Sequence, residues 1–265
     1  MDWSIDYKIQ ILDIDICQLQ FFLRWQFIPQ LHFQSGGYCP EQTAQRVLEI
    51  GCSSGATLAW LRDRWPHAEM LGVDGHAPLA PVIRARAARA VIHDLETPLP
   101  DLGTFDLILA LDVLEHLRAP EQVLADLAAR LTPDGVCIIS VPNMASYQIL
   151  GPLLLQRRFQ YADAGPMDRT HLRWFTEDST LNLLATAGLG AKAGVMTGFT
   201  AGRRRLASAA SFGLIDHYLA VQYIVRAERG DHGLFRWQHD WPRAEPTPYR
   251  SRPAMAAADS IGLTR

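Results

Sequence analysis

Cysteine is scarce in this chain, and its spacing fits neither a disulfide framework nor a metal site. The 265 residues include four cysteines, Cys17, Cys39, Cys52 and Cys137. They form no C-x-x-C pair and are widely scattered, which argues against a cysteine zinc site and is typical of proteins from reducing compartments. We therefore predict a cytoplasmic protein.

A long apolar run and an excess of positive charge are also absent. The most apolar stretch, residues 9–33, is interrupted by Asp13, Asp15 and Arg24, so it falls short of the roughly 20 apolar residues that a membrane span requires. It also lacks the basic start and the cleavage site of a secretory signal.

Lys and Arg total 25 against 28 Asp and Glu, a net charge of −3. We therefore expect no nucleic-acid partner, because bulk charge offers phosphates no attraction.

What is present is the composition of an ordinary globular protein. Hydrophobic residues make up 48% of the chain and charged residues 20%, which excludes wholesale disorder and fibrous folds. The length permits one large domain or two small ones. We predict that residues 1–45 form an N-terminal arm that packs on the domain. The alternative is a weak membrane-surface or dimer contact through its aromatic residues, Phe21, Phe22, Trp25 and Phe27.

The middle of the chain alternates short β-like runs with helical patterns. Such alternation predicts an α/β fold in which helices cover a parallel sheet. The clearest strand is Phe105–Leu111, because a continuous apolar run is typical of a central strand that is buried on both faces. The other strands are predicted at residues 47–50, 70–73, 90–93, 136–141, 192–200 and 218–225.

The alternating pattern also sets the predicted domain boundaries. The domain spans residues 46–229 and contains an insertion at 144–175, which is rich in arginine and aromatic residues and is too long for an ordinary connection. Residues 230–265 mix Pro, Arg, Ala and Ser without periodicity, so we predict a disordered tail. The arm and the tail are thus two segments that flank one domain.

Glycines and acidic side chains follow the first three predicted strands. Gly51 and Gly55 lie at a strand-to-helix turn, where glycine lets the backbone approach a ligand and the helix start offers N–H groups. The turn lacks the middle glycine of a dinucleotide-binding G-x-G-x-x-G motif. Glu49 beside it would repel a pyrophosphate and attract a positively charged ligand. Asp74 and Asp94 end the next two strands, where carboxylates can accept hydrogen bonds from ribose hydroxyls and an adenine amino group.

Together these features resemble the cofactor-binding core of class I S-adenosylmethionine-dependent methyltransferases. The matching segments are Glu49-x-Gly51-x-x-x-Gly55, Gly72-Val73-Asp74, His93-Asp94-Leu95, residues 105–108 with the string 112–117, and residues 131–135. The resemblance implies a Rossmann-like doubly wound sheet of seven strands, mostly parallel with an antiparallel last strand. It also implies S-adenosyl-L-methionine as the cofactor, held by Glu49, Gly51, Cys52, Gly55, Asp74, Asp94, Leu95 and Leu111.

A group of carboxylates and a histidine follows the fourth strand. Asp112, Glu115 and His116 are spaced i, i+3 and i+4, so they share one face if a helix begins here. A histidine can take the proton of a hydroxyl acceptor at neutral pH. We predict that His116 or His171 is the catalytic base and that Glu115 orients it.

The same residues also support a metal-assisted alternative. Asp112-x-x-Glu115-His116 together with His171 resembles the divalent-cation set of small-RNA 3′-terminal 2′-O-methyltransferases, and its first part resembles ubiquinone-pathway O-methyltransferases. Mixed oxygen and imidazole ligands suit Mg²⁺, Mn²⁺ or Fe²⁺. Our main interpretation assigns no metal ligand, and the metal set stays the alternative.

The insertion supplies the predicted acceptor site. Its arginines and aromatic residues suit a polar or anionic acceptor, and we assign substrate binding to Arg158, Tyr161 and Arg173. Two strings of the insertion, Arg158-Phe159-x-Tyr161 and Asp168-Arg169-Thr170-His171-Leu172-Arg173, resemble a subgroup of bacterial methyltransferases often associated with cell-surface glycans. The expected reaction is methyl transfer to a hydroxyl of a small molecule or a glycan precursor. A non-catalytic cofactor-binding protein and a nicotinamide oxidoreductase are the alternatives from other classes.

Overall fold

The computed structural model describes residues 44–87, 89–199, 202–239 and 247–248. The predicted N-terminal arm therefore lies outside the described residues, except for its last two residues. Most of the predicted tail also lies outside them. Among the described helices, none combines the length and the hydropathy that crossing a bilayer requires.

A mixed β-sheet forms the centre of the described structure. Its strands are β1 (Arg46–Ile50), β2 (Glu69–Asp74), β3 (Arg89–Ile92), β4 (Phe105–Leu111), β5 (Leu131–Pro142), β6 (Leu189–Met196), β7 (Gln222–Arg229), β8 (Arg236–His239) and β9 (Thr247–Pro248). They lie in the order β3-β2-β1-β4-β5-β7-β6-β8-β9. Strands β1 to β5 pair in parallel, whereas β7 runs antiparallel to both of its neighbours. The predicted Rossmann-like α/β fold is confirmed.

The helices of the described residues connect these strands. They are α1 (Ala56–Arg64), α2 (Ala80–Arg86), α3 (Pro120–Ala129), α4 (Tyr147–Gln156), α5 (Glu177–Thr186), α6 (Gly202–Ala210) and α7 (Asp216–Leu219), with 3₁₀ turns at Ala77–Leu79 and Leu114–His116. The local sequence explains where two of these helices begin. Pro120 opens α3, where no backbone N–H is needed. A capping box between Thr176 and Ser179 opens α5.

Strands β1 and β4 lie side by side and are buried on both faces. Val47, Leu48 and Ile50 are fully buried, and so are Phe105 and most of the residues that follow it in β4. A strand buried in this way needs an apolar side chain at nearly every position, which is why its sequence predicted β4 at the observed bounds. Chain order reverses between β1 and β4, so the loops that follow them diverge and leave a crevice at the carboxyl edge of the sheet.

The sheet is wider than the seven predicted strands, because β8 and β9 extend it beyond β6. Strand β8 lies in the predicted tail, and the prediction of disorder is wrong for residues 236–239. Trp237 is fully buried, and its indole N–H donates to Glu177 Oε1 at 2.8 Å. The ring fits only because residue 194 is glycine, since an added Cβ there would lie 2.4 Å from it.

The predicted insertion is also more regular than the sequence indicated. Its first part forms helix α4, which begins after Ser146 and continues through Pro152. The rest of the insertion, residues 157–175, consists of turns and two isolated bridges, Asn143 with Phe175 and Ala162 with Asp168. The insertion is therefore a helix followed by a long loop.

The substitution Trp237→Ala is expected to lower the free energy of unfolding by about 3–5 kcal/mol, because it removes a buried aromatic side chain beside β6. Leu234→Ala is the matched control, because Leu234 is 99% exposed, and we expect its effect to stay within about 0.5 kcal/mol. Urea unfolding followed by far-UV circular dichroism measures both. Equal effects of the two substitutions would contradict the placement of β8 in the core.

Candidate functional site

The turn between β1 and α1 has an unusual backbone that brings N–H groups to the carboxyl edge. Gly51, Ser53 and Gly55 have φ angles of 59°, 48° and 70°, in the left-handed region that favours glycine. Ser53 thus takes a backbone conformation that is uncommon for a residue with a side chain. Glycine is required at position 51, because an added Cβ would lie 2.6 Å from Cγ2 of Val113.

Asp74 connects this turn to the end of β2. Its Oδ2 accepts a hydrogen bond from the backbone N–H of Ser53 at 2.8 Å, and its Oδ1 accepts one from the N–H of His76, also at 2.8 Å.

Glu49 is buried at the end of β1. Burial, followed by the negative charges of Glu49 and Asp74, raises the pKa of the Cys52 thiol. Cys52 therefore stays a neutral thiol and is no nucleophile.

Asp94 shapes the turn after β3 in the same manner. Its Oδ1 accepts from the N–H of Glu96 at 3.0 Å, and its backbone carbonyl accepts from the N–H and the hydroxyl of Thr97. Leu95 beside it is buried, and so is Leu111 at the end of β4. Because β3, β2, β1 and β4 are parallel neighbours, the predicted cofactor residues line one edge of the sheet in order.

The exit of β4 differs from the prediction, because Asp112 does not begin a helix. Its φ is 49°, and a 3₁₀ turn at Leu114–His116 follows it. Its Oδ1 accepts hydrogen bonds from the Ser140 hydroxyl, at 2.6 Å, and from the side-chain amide of Gln222. The carboxylate of Asp112 thus joins β4 to β5 and β7. The predicted common face with Glu115 and His116 is wrong.

Glu115, His116 and His171 do come together. One possible ligand atom from each lies within 4.8 Å of the others, and Nε2 of His171 is 4.0 Å from Oε1 of Glu115. The two imidazoles meet edge to face, with ring centroids 4.8 Å apart. The loop that carries His171 is fixed to the 3₁₀ turn, because the N–H groups of Leu172 and Arg173 both donate to the carbonyl of Glu115.

Hydrogen bonds assign the same tautomer to both histidines. The Thr170 hydroxyl donates to Oδ1 of Asp168 at 2.7 Å, so its oxygen accepts from Nδ1–H of His116 at 3.1 Å. Nδ1 of His171 lies 3.2 Å from the carbonyl of Pro166, which only accepts. Both rings therefore carry their proton on Nδ1 and a lone pair on Nε2. The relay from Asp168 through Thr170 was missed by sequence analysis, although Asp168-x-Thr170 is a spacing typical of a local side-chain turn.

The surroundings of the pair shift the pKa of His171 and that of Asp168. Burial lowers the pKa of His171, and the neighbouring His116 lowers it further. Burial acts to raise the pKa of the Asp168 carboxyl, but the hydrogen bonds from the hydroxyl and the backbone N–H of Thr170 hold it below its usual range, and a positive charge on His171 or His116, when either is protonated, acts in the same direction. At neutral pH the site therefore contains an ionised Asp168 carboxylate and an uncharged His171.

The residues assigned to acceptor binding are spread over the insertion. Arg158 donates to the side-chain carbonyl of Gln160 at 2.9 Å, and the exposed Tyr161 packs edge to face on Phe159. The guanidinium of Arg173 instead donates to the backbone carbonyl of Arg118. A cavity of about 270 Å³ opens beside Arg158, and it is lined by Gln148, Ile149, Pro152, Gln156, Arg158, Phe159, Gln160 and Met167.

Comparison with known sequences identifies the domain. A family model described as a methyltransferase domain matches residues 24–191. The chain is 33% identical over 110 residues to a trans-aconitate 2-methyltransferase of Azoarcus sp., covering 39% of this chain and 42% of that protein. It is 29% identical over 149 residues to a malonyl-[acyl-carrier protein] O-methyltransferase of Geobacter sulfurreducens, covering 54% and 55%. The chain thus spans less than two thirds of the length of these relatives.

Solved structures share the fold. A chain of the complex between the Haloferax volcanii Trm112 methyltransferase activator and its putative methyltransferase matches with a TM-score of 0.55 at 15% identity, over 82% of this chain and 93% of that chain. The plantazolicin methyltransferase BpumL, solved in complex with a monoazolic desmethylPZN analog and SAH, also matches with a TM-score of 0.55 at 15% identity, over 81% of this chain and 85% of that chain. At this identity the likeness shows the fold alone. With the family model matching well over half of its length, the chain belongs to the class I S-adenosylmethionine-dependent methyltransferases.

Proposed function

We propose that this protein transfers the methyl group of S-adenosylmethionine to a hydroxyl oxygen of a small-molecule or glycan-type acceptor. The observation that carries the proposal is the histidine pair at the exit of β4, in which both Nε2 atoms bear a lone pair. In the reaction, the acceptor oxygen attacks the methyl carbon and the carbon–sulfur bond breaks. S-adenosylhomocysteine leaves, and the hydroxyl proton passes to a histidine Nε2.

The carboxyl edge supplies a cofactor site of suitable charge. S-adenosylmethionine carries a positive sulfonium and an ammonium group, and the buried Glu49 beside the Gly51 turn favours both. The Asp74 carboxylate is at the end of β2, where the ribose hydroxyls would donate to it. Asp94 would accept from the adenine amino group, with Leu95 and Leu111 packing on the ring. Cys52 and Gly55 complete the turn through their backbone.

Of the two histidines, His116 is the better candidate for the base. His116 is half-buried, whereas His171 is 8% exposed and lies behind it. The relay of Thr170 and Asp168 fixes the ring of His116 through Nδ1. Glu115 lies beside His171. It would therefore orient the histidine pair by acting on His171.

The acceptor site would lie under the insertion, where Arg158 and Tyr161 are accessible. Both curated relatives named above are methyltransferases, and the name of one specifies an oxygen acceptor. Arginine near an open cavity suits a polar or anionic acceptor. Arg173 would contribute by holding the loop of His171, because its guanidinium binds the carbonyl of Arg118.

A second candidate is a metal-assisted O-methyltransferase, because Glu115, His116 and His171 each bring one possible ligand atom within 4.8 Å of the others. Glu115 Oε1 and His171 Nε2 are 4.0 Å apart, so these side chains would have to move closer to share one ion, whose bonds are roughly 2.0–2.2 Å long. Both histidines direct Nδ1 to oxygen acceptors, as metal-binding histidines do. Glu115, His116 and His171 would hold the ion and Asp112 would not, because its carboxylate binds Ser140 and Gln222.

The substitution Asp74→Asn is expected to weaken S-adenosylhomocysteine binding about 10- to 100-fold, because hydrogen bonds from the ribose to a charged acceptor are lost. Titration calorimetry measures the affinity. Asp134→Asn, a change at an exposed position near the start of β5, is the control and should bind normally. If the unaltered protein bound neither S-adenosylmethionine nor S-adenosylhomocysteine, the enzyme proposal would fail, and a parallel titration with NADH tests the oxidoreductase alternative.

The substitution His116→Gln is expected to reduce kcat by about 10²- to 10⁴-fold with little change in S-adenosylhomocysteine affinity, because it removes the base alone. Release of S-adenosylhomocysteine is measured with a panel of sugar nucleotides and monosaccharides, and with trans-aconitate. Transfer to trans-aconitate and to no hydroxyl compound would contradict the hydroxyl proposal. Thr170→Val should lower kcat less than His116→Gln does, because the ring keeps its base and loses only its hydrogen-bonded support.

Metal removal separates the two candidates. We expect protein purified without chelator, and then dialysed against EDTA, to keep its activity, because the histidine base needs no ion. Elemental analysis of the undialysed sample accompanies the assay. About one equivalent of bound metal, with activity that falls on chelation and returns with Mg²⁺, Mn²⁺ or Fe²⁺, would establish the metal-assisted reaction instead.

A further inference from the structure

Two segments at the carboxyl edge of the sheet form one continuous surface. Residues 147–160 follow β5, and residues 202–219 connect β6 to β7. They touch through Arg204, whose Nε donates to the hydroxyl of Tyr147 at 3.4 Å and whose guanidinium lies 5.5 Å from the centre of the Tyr147 ring. Asn143, just before the first segment, donates to the carbonyls of His217 and Ala220. We call the outer face of these segments the cap surface.

The cap surface exposes large apolar side chains to an unusual degree. Five of them are 73% to 94% exposed: Leu154, Leu155, Leu206, Phe212 and Leu214. Single exposed leucines are normal on a soluble protein, but several on adjoining segments mark a surface that binds a partner. They project from the end of α4, from α6 and from the turn after α6.

The charge of the cap surface is positive, although the chain as a whole is negative. Residues 147–160 and 202–219 contain the arginines Arg157, Arg158, Arg203, Arg204 and Arg205 and a single acidic residue, Asp216. Asp216 is buried and paired with His239 at 2.8 Å. The exposed side therefore carries no carboxylate, and it would attract an anionic partner that also accepts apolar side chains.

We propose that the cap surface docks reversibly on an anionic lipid bilayer. Leucine and phenylalanine side chains would enter the boundary of headgroups and acyl chains, while the flanking arginines contact lipid phosphates. The contact would stay at the bilayer surface and would not cross the membrane. Because the cap surface and the cofactor turn share the carboxyl edge, docking would also bring the methyl-transfer site near the bilayer.

Charge argues against two other occupants. A two-fold dimer would set the same positive patch against itself, and the arginines would repel. Nucleic acid would satisfy the arginines but would leave protruding leucines without apolar contact, since single strands bind by stacking on aromatic rings. A lipid surface satisfies both groups of side chains at once.

Vesicle co-sedimentation of the full chain tests the proposal. We expect binding to vesicles with roughly one third phosphatidylglycerol, little binding to pure phosphatidylcholine, and weaker binding as salt rises from about 0.1 M to about 0.5 M. The double variants Leu154→Ser/Leu155→Ser and Phe212→Ser/Leu214→Ser should each lower the partition coefficient at least about 10-fold. Arg203→Gln should weaken binding to anionic vesicles and leave the phosphatidylcholine result unchanged.

Matched controls separate loss of docking from loss of fold. Leu234 is even more exposed than the apolar residues of the cap surface, but it lies just before β8, and Arg84 lies on α2. The variants Leu234→Ser and Arg84→Gln should therefore bind vesicles normally. Every variant must bind S-adenosylhomocysteine as the unaltered chain does. No binding to anionic vesicles would overturn the proposal. Light scattering that shows a dimer dissociated by the leucine variants, or a lower melting temperature of those variants, would assign the cap surface to a second copy or to another segment of the chain.

Discussion

The carboxylate of Asp112 holds together the end of the sheet on which the site is built. It accepts hydrogen bonds from Ser140 on β5 and Gln222 on β7, and its backbone takes a left-handed conformation. This sharp exit from β4 sends Val113 against Gly51, at a distance that leaves no space for a Cβ at position 51. The turn that carries Glu115 and His116 is therefore packed directly on the cofactor turn.

A second set of contacts fixes the insertion on the same turn. The Glu115 carbonyl accepts from Leu172 and Arg173, and the Arg173 side chain binds the carbonyl of Arg118. His171 is thereby held beside Glu115, although more than 50 residues separate them in sequence. The cofactor turn, the β4 exit and the insertion are thus joined by short polar and steric contacts. Displacement of any one of them would move the histidine pair relative to the methyl group.

The sequence predicted the parts of this arrangement that depend on local pattern. The continuous apolar run predicted strand β4, and the glycines predicted the turn at Gly51. The acids Asp74 and Asp94 were identified because each directly follows a predicted strand. It did not predict the role of Asp112, because the partner Gln222 is 110 residues away and no local signal marks such a contact. Strand β8 was missed because it is held by residues that are distant in sequence: Trp237 packs on Gly194 and His239 pairs with Asp216. Its own segment is otherwise typical of a tail.

Opposite charges divide the carboxyl edge into two regions with different partners. Glu49, Asp74 and Asp94 lie on the β3-β2-β1 side, where a cofactor with sulfonium and ammonium groups is favoured. The arginines of the insertion and of α6 lie on the β5-β7 side, where an anionic acceptor or surface is favoured. The total charge of −3 hides this division. The cofactor and the acceptor would therefore be attracted to sides of opposite sign, and neither would compete for the site of the other.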